Sequence, residues 1–459
     1  MEKRQKNKTI ILIAIAVIVA ASCLLFSCMA IMTLGYITFS SSNAPIEFQD
    51  ELENVEEIIP QDGTGIELNN HTITPAQQQV IETAERIRGI SAKGPFNLTF
   101  KTQEQLREQL IDDFFENTTE QDFLDEQDLM VLLGFIPEEM DLKSFYLDFY
   151  SEQIAGFYDT DENMMYLIDG GSESENSLTL AHEYTHFLQF DHFDFANKLN
   201  YSPEKCEENP EHCYVIDAVI EGDATLTEIL LSADPKLNLY EDAPAEYDTS
   251  VFDASPLYYQ NYLLFPYTYG YQFVSEIYQE GGFEAVDQLY ENPPQSIEQI
   301  MHPEKYLTDE PVEILFDPFK ETIAKTCEPV FDNVLNEIDV QWLLGSGAQP
   351  EWRLSEQTAR RATEGWGGGA FQFARCDGEP LFFAKHVWDT RKDADEFFSA
   401  LEDYSNRRWQ PGQAVNYWTS DKQEQIFIDK QNDIVYLMIA PETFNAQPLI
   451  NLVTAGQGL

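Results

Sequence analysis

Positive charge is what this chain has least of. Lysine and arginine number 27 against 81 aspartates and glutamates, a formal net charge of −54 over 459 residues. That balance excludes nucleic acid as a partner, since binding it needs a basic face to displace counterions. The acidity reads as a solvated, self-repelling surface. A hydrophobic content of 43% still supplies real cores, and the length suits two or three domains. An internal repeat, a low-complexity tract and any CxxC pair are also missing, which argues against a thiolate zinc site. "GWGGG" (365–369) lacks the helix and lysine of a phosphate loop and reads as a turn. His386 in "HVWDT" reads as a strand histidine.

The N-terminus sets an expectation of location. "MEKRQKNK" is basic, and residues 9–39 are apolar without one charge. That run exceeds the h-region of a cleaved signal and is long enough to span a bilayer. It predicts a signal-anchor with residues 1–8 cytoplasmic and the rest outside: a single-pass protein of the cell membrane with the lipid bilayer as partner. Lipidation at Cys23 or Cys28 is the alternative anchor. Export permits disulfides. Cys206 and Cys213 bracket a short polar loop, and Cys327 with Cys376 would then join two regions, but four cysteines allow three pairings.

Residues 40–75 are acidic and read as a linker. A helix is predicted from Pro75, with Thr74 as N-cap, and a strand in "FNLTF" (96–100). Residues 155–170 give a hairpin signal around "DTDEN", and the chain is then helical and tyrosine-rich to about residue 340. From 350 to 459 strands and helices alternate, which predicts a separate α+β domain. The expected fold class is therefore α+β. An N-terminal transmembrane helix leads into a mainly helical unit (76–340) with a small edge β-sheet, and a small C-terminal α+β domain follows.

Chemistry concentrates in "LTLAHEYTHFLQFDH" (178–192), which holds three of the seven histidines. His182 and His186 are four apart, so on a helix both imidazoles share one face and reach one metal ion. Glu183 beside them is placed to take a proton from a water activated by that metal. A catalytic zinc needs a third protein ligand and an open position. His192 falls at the metzincin spacing, but Gln189 stands where that class has its turning glycine, and no Met-turn follows. Glu221 is the other candidate. It sits among Val219, Ile220 and Leu226, where an unpaired buried carboxylate would be costly.

HExxH followed by Glu221-Gly222-x-Ala224-x-x-x-Glu228, then Tyr267-x-x-Gly270, resembles the gluzincin zinc metallopeptidases across roughly residues 150–300. It is similar in particular to uncharacterised membrane-tethered bacterial members with a "GFYD" hairpin before the HExxH helix. The resemblance implies that His182, His186 and Glu221 bind Zn(2+) and that Glu183 is general base. It further implies that Tyr267 hydrogen-bonds the oxyanion, with Tyr269 and Tyr271 as nearby substitutes, and that Asp223 and Glu228 orient ligands. The Gly-x-Met-Glu-Asn signature of aminopeptidases is absent. In this class an edge strand can pair with an extended peptide, which places it at Gly156 to Leu167. The expected function is a membrane-anchored zinc metallopeptidase with peptide or protein substrates. The alternatives are a zinc hydrolase of other amides or esters, or a non-catalytic adhesion ectodomain.

Overall fold

The computed structural model describes residues 73–105, 107–109, 118–153, 156–159, 164–168, 173–237 and 249–455. Helix α1 (Pro75–Arg88) starts where the sequence places it. Thr74 and Gln77 form a reciprocal capping box, Pro75 occupies the first turn, and Gly89 closes the helix in the left-handed region. Strand β1 (Leu98–Lys101) precedes α2 (Glu120–Leu133) and α3 (Leu142–Gln153). The hairpin follows as β2 (Gly156–Asp159) and β3 (Met164–Ile168), with Gly156 opposite Leu167. β1 adds to β3 in parallel, giving the three-stranded order β1-β3-β2.

Two long helices carry the HExxH and Glu221 segments: α4 (Glu173–His192) and α5 (Pro210–Ser232). Leu180, Ala181, Tyr184 and Leu188 on one side of α4 join Val80, Ile81 and Ala84 of α1 and Met165 and Leu167 of β3 in a buried cluster. Each such side chain contributes about 1.5–3 kcal/mol on burial, so α4 is gripped on the face away from its histidines. A π-helical turn (Pro266–Gly270) then leads into α6 (Tyr271–Leu289), which kinks at Gly281 and Gly282. Disulfides join Cys206, in the short helix Pro203–Glu208, to Cys213 in the first turn of α5, and Cys327 to Cys376.

The C-terminal part corrects the expected fold class. It is not a small appendage to a mainly helical chain: the protein is a mixed helix-and-strand structure with a seven-stranded sheet, ordered β4-β5-β6-β10-β9-β8-β7. β4 (Glu328–Val334) lies inside the stretch that the sequence reads as helical. It is an edge strand with a single buried residue, Val330, so it lacks the apolar alternation of an interior strand. β5 (Trp366–Cys376) and β6 (Glu379–Trp388) form the long central hairpin. Helix α7 (Arg391–Arg408) precedes β7 (Gln410–Pro411), β8 (Tyr417–Thr419), β9 (Gln425–Gln431) and β10 (Ile434–Ala440). "GWGGG" is not a turn, since its last four residues open β5. Gly368 and Gly369 are required there because a Cβ would meet the carbonyls of Val312 at 2.6 Å and Leu335 at 2.3 Å.

Both faces of the sheet are covered. Phe371, Phe373, Phe382 and Leu437 belong to the same core as Trp342, Tyr258 and Phe265 of the helical part. Phe383, Tyr436 and Met438 pack on the other side under Phe319 and Leu449. Arg375 of β5 pairs with Asp125 at 2.6 Å and Asp128 at 2.7 Å on α2. Arg408 donates to the carbonyls of Leu132 and Leu133 at the end of that helix.

The membrane location is also corrected. Residues 9–39 lie outside the described residues. Among the described residues no helix is long and apolar enough to cross a membrane. The longest, α5, is interrupted by Asp217, Glu221, Asp223 and Glu228. Among the described residues, a single-pass placement therefore finds no helix to carry it.

Candidate metal centre

α4 and α5 bring the two halves of the sequence motif together. His182, His186 and Glu221 present ligand atoms within 4.8 Å of one another, and all three side chains are buried. Glu221 Oε2 lies 3.2 Å from His182 Nε2 and 3.6 Å from His186 Nε2. Two donors sharing a tetrahedral zinc at about 2.0–2.1 Å stand roughly 3.3 Å apart, and the two observed separations bracket that value. The longer is beyond hydrogen-bond range.

The far sides of the imidazoles are held. His182 Nδ1 faces Glu228 Oε2 at 3.1 Å and His186 Nδ1 faces Gln189 Oε1 at 2.9 Å. Such partners turn Nε2 toward a shared ion. His192 does not join them, because its Nε2 donates to the Ser91 carbonyl at 2.7 Å. Ten residues of continuous helix carry it off the ligand face.

Glu183 is fully buried, and neither of its carboxylate oxygens has a hydrogen-bond partner. Glu221 Oε1 and Glu228 Oε1 are likewise unpartnered. Three buried carboxylates around two imidazoles with donors missing make an environment that a divalent cation and a polar substrate would satisfy. The donor set, two nitrogens and one carboxylate, is that of a catalytic zinc. Burial pushes Glu183 up to about 8. Burial also works to raise Glu221, but the imidazoles of His186 and His182 outweigh it and bring that carboxyl down to about 2. For His182 burial opposes the charged form, while Glu221 and Glu228 overcome it and hold the imidazole well above its ordinary value.

The tyrosine is placed by a backbone crossing. A Cβ on Gly222 would sit 2.3 Å from the Gly270 carbonyl oxygen, and one on Gly270 would sit 2.2 Å from that of Ala218. Only glycine lets α5 and the π turn touch this closely. Pro266 has no N–H to give Tyr262, four residues back, and the Tyr214 hydroxyl takes that carbonyl at 2.7 Å. One turn before Gly270, the buried Tyr267 ring lies 6.2 Å from the His182 ring, tilted by 29°. Tyr269 instead stacks on Phe265 at 5.0 Å. Tyr271 is partly exposed at the start of α6.

Sequence reasoning passed over Gln189, reading it only as a missing glycine. It stands three residues after His186, the helical spacing that puts it beside the imidazole. Its amide donates to the Ile220 carbonyl and to Asp223 Oδ2, each at 3.0 Å. Arg88 was missed too; nothing local in α1 marks it, although it is buried against Asp223 at 2.8 Å.

Residues 328–449 match a family described as "Domain of unknown function (DUF8575)". The match begins at the first residue of β4 and ends inside the helix Gln447–Thr454, so it covers the seven-stranded sheet and none of the residues around His182. No curated protein matches the chain, and no solved structure does.

Proposed function

We propose that this protein is a zinc-dependent metallopeptidase. The observation that carries the reading is the convergence of His182, His186 and Glu221 beside a buried Glu183 whose carboxylate has no partner. A structural zinc would be closed by four protein ligands, commonly cysteines, whereas three ligands with a free acid alongside suit hydrolysis.

His182, His186 and Glu221 would hold the ion, which when bound supplies Lewis-acid polarisation and lowers the pKa of water. Glu183 takes the proton of the attacking water and returns it to the leaving amine. Tyr267 donates a hydrogen bond to the oxyanion of the tetrahedral intermediate. Glu228 and Gln189 keep the imidazoles turned inward. An extended substrate would add to β2, which among the described residues pairs only with β3. A Cβ on Gly156 of that strand would lie 3.4 Å from Thr179 of α4, one turn before Glu183.

Zinc content and peptide hydrolysis of wild type and Glu183→Gln test the reading. The variant should retain one zinc per chain and lose turnover. Equal hydrolysis by both proteins, or a wild type that takes up no zinc, sinks it.

A further inference from the structure

We propose that Arg88 and Asp223 act through Gln189 to dictate which nitrogen of His186 carries its proton, and so are positioning residues for the metal site. The inference rests on the zinc reading above. A side-chain amide has an accepting end and a donating end. Gln189 Nε2 faces two acceptors, the Ile220 carbonyl and Asp223 Oδ2, each at 3.0 Å. Its oxygen is thereby turned to His186 Nδ1 at 2.9 Å, and that nitrogen must be the N–H. In the neutral imidazole that a metal ion requires, the lone pair of Nε2 is then left on the side of Glu221. Rotating the amide by half a turn would set its oxygen against two acceptors and its NH2 against Nδ1. His186 would then carry its proton on Nε2 and could not ligate.

Asp223 is what keeps the amide from turning, and Asp223 is itself fixed from two directions. The Tyr290 hydroxyl donates to the same Oδ2 at 2.7 Å, and Arg88 Nε stands 2.8 Å from Oδ1. Arg88 is wholly buried, its Nη2 is 2.6 Å from Asp287, and its guanidinium lies 4.7 Å from the centre of the Phe283 ring. Phe193 stacks on Tyr290 at 3.9 Å. The relay thus gathers residues from α1, α4, α5 and α6. His182 needs no such device, because Glu228 on its Nδ1 presents only oxygens.

Zinc affinity measured by competition with a chromophoric chelator, and the visible spectrum of the cobalt(II)-loaded full chain, test this. The variants are Gln189→Leu, Arg88→Met, Tyr290→Phe and the double Arg88→Met/Gln189→Leu. Gln189→Leu should weaken zinc about 10–100-fold and change the cobalt bands. Arg88→Met should weaken it less, and the double variant should be no weaker than Gln189→Leu, as expected when one residue works through the other. If Arg88→Met does not fold, Tyr290→Phe, which removes one hydrogen bond, and the double Tyr290→Phe/Gln189→Leu carry the same comparison. Zinc binding by folded Gln189→Leu within about two-fold of wild type, or losses that multiply in the double variant, overturns the relay. A wild type that binds no zinc removes the function reading itself. Normal wild-type loading with an unchanged Gln189→Leu removes only the relay.

Discussion

Replacing Gly222 by alanine probes the backbone crossing that sets Tyr267 beside His182. The added methyl would meet the Gly270 carbonyl oxygen at 2.3 Å and its carbon at 2.5 Å. Ordinary contact begins near 3.4 Å, so the two segments must separate by about 1 Å. Neither side is a flexible side chain: α5 is buried over nearly its whole length, and Gly270 is backbone inside a helical run. Overpacking of this kind costs about 1–3 kcal/mol. The displacement falls between Glu221, the neighbour of Gly222, and Tyr267, one turn from Gly270. Misplacement of about 1 Å at a reacting centre can cost on the order of 100-fold in rate. Urea unfolding would read the first effect, and kcat on a fluorogenic peptide the second, with zinc content measured in parallel. A variant that unfolds at the wild-type midpoint and turns over at the wild-type rate would refute the contact and the argument built on it.

Tyr267→Phe should keep zinc while kcat falls about 10²–10³-fold; Tyr269→Phe, whose ring packs away on Phe265, should leave kcat unchanged in the same assay. Glu126 offers a pH test. Burial pushes its carboxyl up to about 8, against the hydroxyl of Tyr146 that donates to it. The folded value lies above the unfolded one, so this contribution is complete below about pH 4.5 and is lost as pH rises through about 8. Glu126→Gln has no such proton, and its stability relative to wild type should climb by at most roughly 4–5 kcal/mol between pH 4.5 and 8; parallel urea curves across that range would refute the assignment. Arg408→Ala strips donors from the carbonyls of Leu132 and Leu133 and should cost about 1–3 kcal/mol in urea unfolding.

What the sequence made legible follows the range of the forces concerned. The N-cap at Thr74 and the hairpin within 155–170 depend on near neighbours and could be read from a short window, whereas the reciprocal bond from Gln77 and the pairing of Gly156 with Leu167 came with the structure. The shared face of His182 and His186 is a property of helical spacing alone. Glu221 could be suspected because a lone carboxylate in an apolar helix is costly. The choice against His192 needed coordinates, since it turns on whether α4 continues straight after His186. Gly222 and Gly270 are visible as letters of a motif, but their reason is that they touch each other across 48 residues of chain. β4 was illegible for a related reason. Its outer residues face solvent, and only β5, found more than thirty residues later, makes it a strand.

The arginines of β5 and α7 bind the matched domain to the rest of the molecule at its seam. Anyone dividing the gene at residue 327, where the family match would suggest a clean boundary, would produce two damaged pieces. The first would hold a thiol at Cys327 stripped of its mate, and α2 with a bare end. The second would display Phe371, Phe373 and Phe382 to water. Reagents for the part that carries His182, His186 and Glu221 are therefore better made as whole chains than as truncations.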